Sequence, residues 1–219
     1  MMTFKNDLYQ LLSITASSGR EEPVANYLNL RLKSLTDKVW FDDYRNVLAE
    51  MNYGENGPTV LLSAHMDTVW VEEDREIIQD DDVWFSSHGP LGADDRAGIA
   101  IILAVLRNLG ETGFAGKVKL AFTREEEIGL CGSREIDPEW LKGIDLGIVV
   151  DRRGSRDAAV FAEQGVPSIN VSAGYMNEHT DREYVNILHC QDTIRLLLHV
   201  MKHCGEDLFT AVTKNFLRR

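Results

Sequence analysis

Thr59-Val60-Leu61-Leu62-Ser63-Ala64-His65-Met66-Asp67 is a run of six uncharged residues that ends on an imidazole and a carboxylate. Its first six positions are apolar toward both sides, the pattern of a strand buried in the middle of a sheet with helices on either face. Upstream, Asn52-Tyr53-Gly54-Glu55-Asn56-Gly57-Pro58 reads as a turn, and Val39 to Phe41 and Val47 to Met51 read as strands. Still earlier, Ser18 followed by Glu21 has the form of a capping box, and Val24, Tyr27, Leu28, Leu32 and Leu35 recur at helical spacing, which predicts a helix over about 21–35. A shorter helix is expected from Asp7 to Ile14. Downstream, the pattern gives a polar hairpin over about 74–86, a helix over about 95–109, and strands at Val118 to Phe122, Leu146 to Val150, Ala158 to Phe161 and Ser168 to Ser172. A long helix follows, with Ile194, Leu197, Leu198 and Met201 turned inward. Helices alternating with buried strands predict an α/β fold, a three-layer α/β/α sandwich around a mixed central sheet.

The 219 residues are 44% hydrophobic and 26% charged, enough apolar material for one well-filled core and inconsistent with disorder or a coiled coil. No repeat, low-complexity tract or linker interrupts them, so residues 1–219 are expected to form a single domain. Lys and Arg number 23 against 35 Asp and Glu, a net charge of -12, which argues against nucleic acid or an anionic membrane as partner. Bound cations are one explanation for the surplus acid. The first residues carry no apolar signal core, the longest apolar runs are too short for a membrane span, and the three cysteines (Cys131, Cys190, Cys204) sit at no metal-like spacing. A cytoplasmic protein is the expectation.

In α/β sheets, ligands bind at the carboxyl ends of the strands, and here those ends are acidic. His65 and Asp67 follow the strand ending at Ala64; Asp94 and Asp95 precede the next helix; Glu125, Glu126 and Glu127 follow Phe122; Asp151 follows Val150; His179 follows Ser172. Any one of these is ordinary as a helix-cap or surface group. Together, several carboxylates at one sheet edge would repel each other unless cations neutralised them. Asp94, Glu127 and Asp151 with one hydroxide balance two divalent ions, with His65 and His179 as neutral ligands. Imidazole and carboxylate without thiolate suit zinc first, with cobalt or manganese as substitutes. Two such ions roughly 3.5–4 Å apart can share a water and lower its pKa toward about 7.

The pieces Ser18-Gly19-Arg20-Glu21, His65-Met66-Asp67-Thr68-Val69, Gly92-Ala93-Asp94-Asp95-Arg96-Ala97-Gly98, Thr123 to Gly129, Asp151, and Gly174 to Thr180 with Glu183-Tyr184-Val185 together resemble the co-catalytic zinc peptidases of metallopeptidase family 20, in their peptidase T-like branch. The resemblance implies that Asp94 bridges two metals, that His65 and Asp151 complete one site, and that Glu127 and His179 complete the other. It further implies Glu126 as general base and Asp67 as the carboxylate orienting His65. Where that family inserts a lid and dimerisation domain, only 27 residues separate Asp151 from His179, so a bare catalytic domain is expected, architecturally similar to the lidless aminopeptidases of family 28. The function implied is an exopeptidase of aminopeptidase or tripeptidase type acting on short peptides. The alternatives are an N-acyl-amino-acid deacylase with the same metal chemistry and a non-catalytic metal-binding module. Self-association into a homo-oligomer is left open. Arg152, Arg153, Tyr175 and Asn177 are candidates for substrate groups at the rim, and Trp70 for lining a side-chain pocket. His88, His189, His199 and His203 are expected to be spectators, Glu125 a surface acid, and Cys131 a small packing residue.

Overall fold

A computed structural model of the chain describes residues 3–152 and 157–204. Its strands are β1 (Lys38–Phe41), β2 (Val47–Asn52), β3 (Thr59–His65), β4 (Ile77–Asp80), β5 (Val83–Ser86), β6 (Lys117–Thr123), β7 (Leu146–Asp151), β8 (Ser168–Ser172), β9 (Tyr175–Met176) and β10 (Tyr184–Asn186). The helices are α1 (Phe4–Leu12), α2 (Glu22–Leu32), α3 (Ala93–Leu109), α4 (Cys131–Arg134), α5 (Pro138–Leu141), α6 (Asp157–Glu163) and α7 (Ile187–His203). The main sheet runs β1-β2-β6-β3-β7-β8, parallel from β6 to β8 and antiparallel at β1 and β2. It is the expected mixed sheet, with β3 near its centre.

Alternation along β3 divides the core between two faces. Val60, Leu62 and Ala64 pack with Leu8, Leu28, Ile101 and Leu197 of α1, α2, α3 and α7. Leu61 points the other way, with Leu48 and Ala121, into a smaller cluster closed by Ile136, Leu141, Ile144, Phe161 and Val166. Each such Val, Leu, Ile or Phe side chain, taken fully out of water, contributes about 1.5–3 kcal/mol, so both helical layers hold the sheet in place. Register then decides where the chemistry lies: His65 pairs with Thr123, and Asp151 with Ser172, which brings the carboxyl ends of β3, β6, β7 and β8 to one edge.

Three expectations need correction. The helix expected over 21–35 ends at Leu32, and Ser18 does not cap it: the Ser18 hydroxyl donates to Asp67 instead, at 2.7 Å, and Glu21 accepts from Gly19 N–H. The strand expected at Ala158 to Phe161 is helix α6, because Asp157, Val160 and Phe161, three and four apart, all turn inward. A second, antiparallel sheet in the order β4-β5-β10-β9 went unanticipated beyond its β4–β5 hairpin, since its other two strands are only two and three residues long.

Candidate metal centre

His65 is the last residue of β3, and its ring is fixed at both nitrogens. Nδ1 lies 3.0 Å from the Asp67 carbonyl oxygen and 3.3 Å from Asp67 Oδ1, and Nε2 lies 2.9 Å from Asp94 Oδ1. The Asp67 carboxylate, fully buried, also accepts from the Ser18 hydroxyl and from the backbone N–H groups of Glu126 and Glu127 at 3.0 and 3.1 Å. One side chain thus ties the end of β3 to the loop after β6.

Asp94 enters from the start of α3, where Gly92 takes a left-handed conformation at φ +74 and the Asp94–Asp95 peptide is cis. The Glu183 carboxylate, just before β10, holds this turn, accepting from Gly92, Ala93 and Asp94 N–H at 2.9, 2.8 and 3.1 Å. With Oδ1 toward His65, Asp94 turns Oδ2 toward His179 Nε2 at 3.1 Å, and that nitrogen is also 2.6 Å from Glu127 Oε1. The buried Tyr175 hydroxyl lies between two carboxylates, 2.8 Å from Asp94 Oδ1 and close to Asp151 Oδ1, with one proton shared between them, linking β9 to the end of β7 and the start of α3.

The donor atoms of His65, Asp94 and Asp151 all lie within 4.8 Å of one another, as do those of Asp94, Glu127 and His179 and those of His65, Glu126 and Glu127. Asp94 is common to the first two groups. Ligands at about 2.0–2.2 Å around one tetrahedral ion sit a little over about 3 Å apart, so spacings of 2.6 to 3.1 Å across these pairs fit a cation between them after small adjustment. All five proposed ligands, and Glu126 with Asp67, converge on one place.

Charge compensation shows in the titration behaviour. Contacts with the Asp94 and Glu127 carboxylates push the His179 imidazole up to about 9. Burial works against the His65 charge, yet Asp67 and Asp94 outweigh it and hold the ring well above its usual value. Asp94, despite its own burial, is held well below the carboxylate range by both imidazoles. Burial, reinforced by neighbouring Asp151 and Asp157, pushes Glu126 up to about 7, which suits a group that must take up and release a proton near neutrality. Asp95 is fully buried with Oδ2 unpartnered, and burial holds its carboxyl well above the usual range.

The other sequence candidates fall elsewhere. Tyr175 is not a rim residue, since its hydroxyl is spent inside the cluster, and Asn177 is exposed in a turn, donating to the Arg182 carbonyl. Arg153 lies outside the described residues. Trp70 is 65% exposed and lines a groove of about 570 Å³ with Arg20 and Glu72. Glu125 is half-buried, accepting from the Tyr44 hydroxyl at 2.6 Å, and so is not a free surface acid. His88 pairs with the exposed Asp74, and His189, His199 and His203 are exposed and outside the three groups found among the described residues. No role could be assigned to Glu183 from sequence; its three partners lie about 90 residues away, a separation that no local pattern reports.

The sequence model of Peptidase family M28 matches residues 46–185. Carboxypeptidase G2 from Pseudomonas sp. (strain RS-16) is 31% identical over 187 residues, covering 75% of this chain and 42% of that protein, so the chain spans less than half of that relative. In architecture, aminopeptidase PepT from Bacillus cereus ATCC 10987 superposes with a TM-score of 0.83 at 15% identity, over 91% of this chain and 97% of that one. A tripeptidase from Staphylococcus aureus gives 0.82 at 16% over 91% and 97%. These two likenesses bear on the fold, and the family match, spanning more than half of the sequence and all five proposed ligands, bears on descent: the chain belongs to peptidase family M28.

Proposed function

We propose that this protein is a metal-dependent exopeptidase of aminopeptidase or tripeptidase type, removing residues from the N-terminus of short peptides at a centre of two zinc ions. His65, Asp94 and Asp151 would hold one ion and Asp94, Glu127 and His179 the other, and residues 1–219 would act as one catalytic domain without an inserted lid. The observation that carries this reading is the sharing of Asp94 between two compact donor groups beside a buried Glu126. The motif resemblance to family 20 supports the assignment of roles, and the matched family supports the chemistry.

When bound, the ions would polarise a water and the scissile carbonyl. Glu126 accepts the proton of the attacking water on its carboxylate and returns it to the leaving amine nitrogen, for which a value about 7 is well placed. Asp67 keeps Glu126 and Glu127 aimed into the cleft through their backbone N–H groups and keeps the His65 ring in place. Tyr175 fixes the relative position of Asp94 and Asp151.

Glu126→Gln removes the proton acceptor while sparing the five ligands, so turnover should fall by about 10²–10⁴ with metal content unchanged near two per chain. Elemental analysis and a panel of amino-acid anilides, tripeptides and N-acetyl amino acids read this out. Hydrolysis confined to the N-acetyl compounds would replace the peptidase by a deacylase; metal bound with no hydrolysis of any of them would leave a binding module.

A further inference from the structure

One ion pair lies next to two of the proposed ligands. Arg152 directly follows Asp151 and Glu178 directly precedes His179, and Arg152 Nη1 lies 3.2 Å from Glu178 Oε1. The pair therefore joins a loop from one proposed metal group to a loop from the other. The Arg152 backbone is held at both ends of its peptide, its N–H donating to the Asp151 carboxylate and its carbonyl accepting from Asn170 Nδ2. Its side chain is 38% exposed, and among the described hydrogen bonds only Nη1 is engaged.

Of the other arginines in this region, Arg20 and Arg182 are exposed with no side-chain partner among the described contacts, and three are committed. Arg96 is buried against the Met66 and Ala16 carbonyls, Arg124 is clamped by Glu21, and Arg75 donates to the Leu12, Glu72 and Leu91 carbonyls. A chain with a net charge of -12 disfavours anions at long range, so a fixed cation beside the centre adds to the hold on an anionic substrate. A guanidinium with a free edge offers two parallel donors, the geometry that grips a carboxylate.

Resting on the exopeptidase reading, we infer that Arg152 is the substrate-carboxylate receptor, so that the centre selects short peptides whose free C-terminal carboxylate lies within one or two residues of the scissile amide. Glu178 holds the guanidinium in place and yields to the substrate.

Paired probes separate the contributions: alanyl-alanine and alanyl-alanine amide, titrated by calorimetry into zinc-loaded Glu126→Gln protein, which binds without turnover. The acid should bind more tightly. Adding Arg152→Gln should weaken the acid on the order of ten- to a hundredfold and the amide little, with Arg152→Lys recovering part of the loss. Glu178→Gln should tighten the acid by releasing the guanidinium. In protein with Glu126 intact, Arg152→Gln should raise KM for the acid with kcat nearly unchanged. Equal loss for acid and amide, or no loss for either, overturns the assignment. Preference for the acid without hydrolysis of any peptide would sink the exopeptidase reading and leave Arg152 standing; hydrolysis indifferent to the carboxylate would sink Arg152 alone.

Discussion

Glu183 does for Asp94 what no nearby residue does. Three successive N–H groups at the opening of α3 point at its carboxylate, and all three lie in buried residues. Removing the acceptor leaves them without partners, and even one such orphan costs about 1–3 kcal/mol. Glu183→Ala should therefore lower the melting temperature and weaken metal retention, because the residue shared between both donor groups loses its anchor. Glu183→Gln keeps one acceptor oxygen but presents an amide N–H₂ to the third donor, so it should fall between the two. Thermal melts with and without zinc, alongside equilibrium dialysis, check this; a Glu183→Ala protein that retains metal like the parent would show that Asp94 is held by its other contacts alone.

At the scale of elements, α3 leans so closely on β7 that a methyl group cannot pass between them. A Cβ on Gly98 would meet the Val150 carbonyl oxygen and both carboxylate oxygens of Asp95 well inside contact distance. Gly98→Ala gains about 1 kcal/mol of helix propensity, but the clash is with backbone and a buried acid that have nowhere to move, and overpacking of this kind costs about 1–3 kcal/mol or more. The clash should win, with a lower melting temperature and a shift of Asp94 and Asp95 that weakens metal binding; an unchanged melt would mean that α3 can tilt freely. Long elements of this kind were readable beforehand. The two-sided apolar run of β3 and the helical spacing in α3 and α7 stand out because each buries a continuous stripe, and the residues proposed as ligands could be singled out because they lie beyond strand ends or at a helix start. What escaped depends on partners distant in sequence: Ser18 looks like a cap until Asp67, 49 residues on, takes its hydroxyl, and β9 and β10 are too short to show a period. Ala158 to Phe161 was misread because four residues of Ala, Val and Phe fit either period, and only the packing of Val160 and Phe161 decides.

Across the whole molecule, the centre is where an acidic chain concentrates charge, and protons and metal compete to balance it. Without metal the two imidazoles serve as the counter-ions. His179, at about 9 in the fold against a usual 6.5, contributes stability that is fully present below 6.5 and lost as pH rises through about 9. Glu126, raised by burial from 4.5 to about 7, acts with the same sign over a lower window: its contribution is present below 4.5 and lost as pH rises through about 7. Asp67 runs the other way. Its own burial opposes ionisation, but contacts with His65, Ser18 and the Glu126 N–H lower it from 3.8 to about 2, so its share is present above 3.8 and lost as pH falls through about 2. Chelated protein should accordingly be most stable in mild acid and lose melting temperature steadily from about 4.5 to about 9. Zinc reverses the trend, because a ligand imidazole must give up its proton and cations replace the lost imidazolium charge. The stabilisation gained on adding zinc to chelated protein should therefore grow with pH through the same interval, and binding should release protons into the buffer. Melts of chelated and zinc-loaded protein across this range, with calorimetry in buffers of different ionisation enthalpy, measure both quantities. A zinc-induced shift that is flat with pH would mean that the metal does not displace protons from His65 and His179, and the ligand set proposed for these two residues would fall.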